Sequence, residues 1–201
     1  MEIIEKVNSR RTFLAAAVAT PLLFPMARDG LAAAEPALDD DGYLPNVALQ
    51  THKGRTVRFY DDLIKGRMVV INMMYAGCTN ICPPNTASLL RVKEALGARV
   101  GRDIFMYSLT LQPDFDKPRD LARYMRKYRV GAGWTFLTGR AEDVDLLRRR
   151  LGFYNFDPVT DADLKQHTGM VRIGHDARGR WSMVPATATT RQITDSILNY
   201  L

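Results

Sequence analysis

Cysteine is scarce in this chain of 201 residues: there are two, Cys78 and Cys82. So few exclude the multi-bridge framework that staples small secreted domains. Histidine is nearly as rare, with His52, His167 and His175, so a metal site built on imidazole must draw on these. The chain has no G-x-x-x-x-G-K-[ST] loop, no G-x-S-x-G, no H-E-x-x-H and no G-x-G-x-x-G. That removes the nucleotide, serine-hydrolase, zinc-protease and dinucleotide chemistries those motifs carry. No internal repeat or low-complexity tract occurs. Beyond residue 34 no apolar run approaches the ~20 residues that cross a bilayer, so no transmembrane anchor is expected in the mature chain.

What is present is ordinary for a globular protein. The hydrophobic fraction is 46% and the charged fraction 25%, enough for a real core. The net charge of +6, from 28 basic and 22 acidic residues, is spread over several segments. "RYMRKYR" and "LLRRRLG" resemble nucleic-acid patches at first. At helical spacing, however, Leu121, Tyr124, Met125 and Tyr128 share one face, and Val144, Leu147 and Leu151 another. The arginines then fill solvated faces, and no nucleic-acid partner is expected.

Residues 1–34 read as an address. Ser9-Arg10-Arg11-Thr12-Phe13-Leu14 carries a twin arginine, an apolar run extends to Met26, and Ala32-Ala33-Ala34 supplies small residues for a signal peptidase. This layout predicts twin-arginine export and a mature periplasmic protein starting near Glu35, in a compartment that permits disulfides. Residues 35–42, acidic and with Pro and Gly, read as a leader, and 43–201 as one domain.

Within that domain "TVRFY" (56–60) reads as a strand. "MVVINMMY" (68–75) and "DIFMYSLTL" (103–111) are continuous apolar runs that suit strands buried on both faces. Helical periodicity follows in "NTASLLRVKEALGA", from about Pro118 to Tyr128 and from Ala141 to Leu151, with "WTFLT" as a strand between. "TGMVRIGH" and "RWSMV" form a hairpin across "DARG". A final helix presents Ile193, Ile197 and Leu201. Strands alternating with helices, then a hairpin and a helix, predict an α/β fold with a central mixed sheet.

Cys78 and Cys82 follow the first buried strand in "AGCTNICPPN". With Pro83 and Pro84 in the first turn, both sulfurs are expected at a helix N-terminus, where the macrodipole favours a thiolate. Spaced four apart across one helical turn, they could bond to each other or converge on one ion. As a structural staple the bridge would close a small loop and constrain the unfolded chain little. That favours a redox couple or a pair of metal ligands over a staple. For a third ligand, His52 lies in a Lys-Gly turn, His175 at the hairpin tip, and His167 directly before a core strand. Met73 and Met74 are soft donors too, but on a buried strand they read as core.

The strand, Cys-x-x-x-Cys-Pro and a distant His before the penultimate strand resemble the Sco/SenC family of thioredoxin-fold, copper-binding assembly proteins. "GRTVRFYDDLIKGRMVVINMMYAGCTNICPPNTASL", "MYSLTLQPDFDKPRDLARY", "WTFLTG" and "QHTGMVRIGHDARGRW" extend the likeness over most of 43–201. The resemblance implies a thioredoxin-like fold in which Cys78, Cys82 and His167 bind one copper ion, Cu(I) or Cu(II), with the cysteines also acting as a redox pair. It implies delivery of copper to the copper centre of a respiratory terminal oxidase subunit or another copper enzyme, or reduction of that centre's cysteines, with a periplasmic thiol reductant as a further partner. Two thiolates and an imidazole suit copper independently, whereas zinc would want a fourth ligand. The alternative is a metal-independent thiol–disulfide oxidoreductase. The chain departs from the family pattern at Thr79-Asn80, where Pro-Asp is frequent, and at Gln112-Pro113, where Asp-Pro is frequent. Both changes are expected to remove carboxylates near the site.

Overall fold

The computed structural model describes residues 37–38, 43–163 and 169–201. The stretch read as an export signal, most of the stretch read as leader, and His167 therefore lie outside the described residues. The strands are β1 (Ala37–Leu38), β2 (Pro45–Asn46), β3 (Ala48–Thr51), β4 (Thr56–Arg58), β5 (Met68–Met74), β6 (Ile104–Thr110), β7 (Trp134–Gly139), β8 (Met170–His175) and β9 (Arg180–Pro185). The helices are α1 (Cys82–Leu96), α2 (Pro118–Lys127), α3 (Ala141–Arg150), α4 (Pro158–Ala162) and α5 (Thr190–Leu198).

Seven strands make one mixed sheet in the order β4-β3-β7-β6-β5-β8-β9. The central β5, β6 and β7 run parallel, while β8 is antiparallel to β5. Side chains alternate across each strand, and the sequence uses that alternation to build two cores. Met68, Val70 and Met74 of β5 pack with Leu89 and Val92 of α1, Tyr124 of α2 and Ile193 of α5 on one face. Val69, Ile71 and Met73 pack with Val144 and Leu147 of α3 on the other. With both faces covered, β5 is buried along its whole length, which is why its sequence reads as an unbroken apolar run.

One polar cluster interrupts the first core. Trp134 Nε1 donates to Ser108 Oγ (2.8 Å), and Ser108 Oγ donates to Asn72 Oδ1 (2.7 Å). The three residues sit on adjacent central strands, with Asn72 paired to Ser108 in register. All three are buried.

β2, β3 and α4 have no counterpart in the sequence expectation, and two further stretches differ from it. The strand at "TVRFY" stops at Arg58, and Phe59–Ile64 forms a π-helical turn. Asn46 causes this, because its Oδ1 accepts the backbone N–H groups of Tyr60 (3.1 Å) and Asp61 (3.2 Å). Near the start of the domain, Ala37–Leu38, in the stretch read as leader, pairs antiparallel with β2. The hairpin β8–β9 forms as expected, with Gly179 in the left-handed region at φ 59°.

Candidate metal centre

β5 ends at Met74, and the chain turns at once. Cys78 N–H donates to Tyr75 O (3.1 Å), and α1 begins at Cys82 with prolines in its first turn. The Cys82 N–H, a donor with no partner inside the helix, donates to Cys78 Sγ at 3.2 Å. Cys78 therefore lies in the turn before the helix and caps its start with sulfur. This corrects the expectation of two cysteines stacked across one helical turn. The sulfurs converge, but the turn at Tyr75–Cys78 brings them together. The two cysteines are not joined in a disulfide and are nearly sealed, at 6% and 2% exposure.

Their acidities are split. Burial pushes Cys78 up, but donors converging on its sulfur outweigh that and hold it below its ordinary value: the Cys82 thiol first, then the Cys82 and Asn80 N–H groups and the Tyr75 hydroxyl. Cys82 is pushed far up, first by burial, then because its proton is held against Cys78. Tyr75 is pushed up to about 12, by burial and by its hydrogen bond to Cys78. Cys78 is thus the more acidic thiol of the pair, and Cys82 the buried donor beside it.

Sequence reasoning missed a carboxyl group. Asp116, 4% exposed, accepts Ala76 N–H (2.8 Å) and Thr110 Oγ1 (2.5 Å) on one oxygen, Oδ2. It also acts electrostatically on Cys82, pushing that thiol up. The replacement at Gln112 therefore does not strip the cysteine loop of carboxyl groups. The available signal was Thr110, a polar residue closing an apolar strand just ahead of an Asp-bearing loop.

The histidines are scattered. His175 pairs with Met68, at the far end of β5 from the cysteines, about 20 Å along a strand of this length. His52 accepts the Phe136 N–H on Nδ1 (3.3 Å) on the β3 side of the sheet. That is three strand positions from β5, about 14 Å. His167 is not among the described residues, but its flanks are. Asp163 acts electrostatically on Tyr75. A Cβ at Gly169 would meet Asn85 Nδ2 at 3.1 Å and Ile81 Cγ2 at 3.7 Å, both in the start of α1. The antiparallel pairing of β8 with β5 puts the entrance of one strand beside the exit of the other. Among the described residues no group of three or more His, Cys, Asp or Glu side chains gathers as a metal cluster. Met73 and Met74 are buried in opposite cores.

The model of one protein family, SCO1/SenC, matches residues 43–201. The chain belongs to the SCO1/SenC family. A candidate copper-binding protein of Stutzerimonas stutzeri is 30% identical over 105 residues, covering 52% of this chain and 50% of its own. The chain spans about half the length of the curated relatives it matches. Among solved structures, ScoI of Bradyrhizobium japonicum with copper bound superimposes with a TM-score of 0.61 at 20% identity, covering 77% of this chain and 96% of that one. BsSco, a Sco-family cytochrome c oxidase assembly protein in which a disulfide switch was identified, gives 0.61 at 21% identity, covering 77% and 90%. These likenesses establish the thioredoxin-like fold that this SCO1/SenC chain adopts. Among its described residues no helix is long and apolar enough to cross a membrane.

Proposed function

We propose that this SCO1/SenC protein takes up copper on Cys78, Cys82 and His167 and serves the copper centre of a respiratory terminal oxidase, by handing the ion over or by reducing the receiving cysteines. The observation that carries this reading is the pair of convergent sulfurs, not joined in a disulfide and of split acidity, at the exit of β5. A thiolate beside a thiol is a soft donor set suited to Cu(I), and losing the second proton on binding makes uptake pH-dependent. Gly169 supports the third ligand. It packs against the start of α1, and two residues of chain reach no more than about 7 Å back from it to His167.

The copper state of the relatives' structures supports the choice of ion, since the family likeness spans the whole domain. The twin arginine and the alanine triplet support export to the periplasm. The leading alternative is a metal-independent thiol–disulfide oxidoreductase. A thiolate with a lowered pKa beside a buried thiol favours it equally.

Copper itself separates the two. The reduced mature protein should bind one equivalent of Cu(I), and Cys78→Ser should abolish it. In the Cu(II) electron paramagnetic resonance spectra of His52→Ala, His167→Ala and His175→Ala, nitrogen hyperfine coupling should vanish for His167→Ala alone. Coupling that survives there and disappears in another variant removes His167 from the ligand set. Failure of the reduced protein to bind copper removes the metal reading and leaves the oxidoreductase.

A further inference from the structure

A cavity of about 380 Å³ opens at the same end of the sheet as the cysteine loop, on the α3 face. Its floor is apolar, from Met73, Leu111, Val144 and Phe153. Its two rims run to the cysteine loop. On one side Phe115 lines the cavity, and its neighbour Asp116 holds Ala76 N–H. On the other side Ala162 lines it, and its neighbour Asp163 acts on Tyr75.

The surface around this cavity is unusual for the molecule. Six large hydrophobic residues are exposed among the described residues, and four of them, Phe115 (76%), Tyr154 (38%), Phe156 (90%) and Val159 (80%), belong to these rim segments. Such clustering marks an interaction surface, whereas the same residues scattered singly would not. The charge is also inverted. The cavity is lined by Asp114, Asp145 and Asp161 against Arg148, and Arg149 beside it also pairs with Asp145 (2.9 Å) and Asp161 (3.8 Å), a net of −1 in a chain of net charge +6. Arg148 is already committed to Asp161 (2.6 and 2.8 Å) and Asp145 (2.9 Å), so its charge is not on offer to a ligand. Asp114 has no ion-pair partner among the described residues.

We infer that this cavity docks an extended segment of the client polypeptide, with a large apolar side chain in the cavity and a flanking basic side chain against the acidic rim. The inference rests on the proposed function, because it assigns that site its recognition surface. Because Asp116 and Asp163, next to the rim residues Phe115 and Ala162, act on Ala76 and Tyr75, a chain seated here lies at the cysteine end of the sheet. The charge complementarity selects against an acidic segment. Phe115 and Phe156 supply the aromatic anchors that dominate such contacts.

The test is a titration of the isotope-labelled mature protein, followed by amide resonances. The probes are short Gly/Ser peptides with a central Phe flanked by Lys, the same peptide with Glu for Lys, and the same with Ser for Phe. The Phe/Lys peptide should bind about tenfold more tightly than either other, with shifts centred on Phe115, Tyr154 and Val159. Phe115→Ser and Ala162→Trp, both changes of exposed residues, should erase that preference while Cu(I) stoichiometry stays at the wild-type value. Equal binding of the three peptides, or shifts centred elsewhere, overturns the inference. So does a rim that shifts with protein concentration alone, since the occupant is then a second copy. In the wild-type protein, absence of any peptide preference with copper binding intact rejects the docking surface only. Peptide preference without copper binding rejects the copper reading and leaves the docking surface standing.

Discussion

Replacing Asp116 by alanine should loosen the cysteine loop, and the size of the effect follows from which donors lose their acceptor. Oδ2 of Asp116 takes both the Ala76 N–H and the Thr110 hydroxyl. Thr110 is fully buried, and although its Oγ1 still accepts the Gln112 N–H (3.0 Å), its proton loses its acceptor, which costs about 1–3 kcal/mol. Ala76 is only partly buried, so water recovers part of its bond and the cost there is nearer 1 kcal/mol. The sum is about 2–4 kcal/mol for Asp116→Ala. Asp116→Asn keeps an acceptor oxygen in place and should cost about 1 kcal/mol. Urea denaturation of the reduced protein reads these values, provided the slope is unchanged between variants. Because Ala76 lies two residues before Cys78, a Cu(I) competition assay should show weaker binding in the alanine variant and near wild-type binding in the asparagine variant. Asp116→Ala within about 0.5 kcal/mol of wild type, the range of ordinary surface substitutions, would refute the reasoning. An asparagine variant as damaged as the alanine one would show that charge, not the acceptor oxygen, is what matters.

Cys78 should be alkylated before Cys82, with a rate that rises with pH and reaches half its maximum below the ordinary thiol value of 9.0. Tyr75→Phe removes one donor to the thiolate and should move that midpoint upward; preferential labelling of Cys82 would reverse the assignment. Gly174→Ala should destabilise the fold by about 1–3 kcal/mol, because the new Cβ would overlap the Trp181 ring packed across the hairpin. The same urea assay measures it, and a neutral result would mean the indole has another place to go. Changing Arg10 and Arg11 together to Lys should leave the precursor in the cytoplasm on cell fractionation, whereas normal periplasmic accumulation would reject twin-arginine export.

The sheet and helices were legible in the sequence where burial left a period. β5 and β6 read as apolar runs because both faces are covered, and α1, α2 and α3 read as helices because one face is covered. The misses have non-local causes. The turn at Phe59–Ile64 alternates like a strand, and what bends it is the side chain of Asn46, more than a dozen residues earlier. Asp116 sits in a polar, proline-bearing stretch that reads as a surface loop. Its burial depends on Ala76, a donor 40 residues away in sequence. The helix start at Cys82 was legible from Pro83 and Pro84, but its capping by Cys78 Sγ was not, since that depends on how the turn at Tyr75–Cys78 folds back. α4 was missed because it is five residues long, too short for a period to show.

The cluster of Asn72, Ser108 and Trp134 fixes more than its own hydrogen bonds. Strand pairing repeats every two residues, so β5 displaced by two against β6 would still turn its apolar side chains to the proper cores. Grease alone does not distinguish those alignments. The polar trio does. Displaced one way, Asn72 would face Met106, and Asn72 Oδ1 and the Ser108 hydroxyl would lose each other while Trp134 kept its bond to Ser108. Displaced the other way, it would face Thr110 and compete for the hydroxyl that Asp116 uses. At about 1–3 kcal/mol for each group left unpaired, either misalignment forfeits several kcal/mol. A two-residue step also moves the end of β5 by about 6.6 Å, enough to carry Cys78 off the start of α1. The trio therefore works as the datum from which the strand is measured, and the place where β5 stops and its sulfurs begin is set from the middle of the sheet.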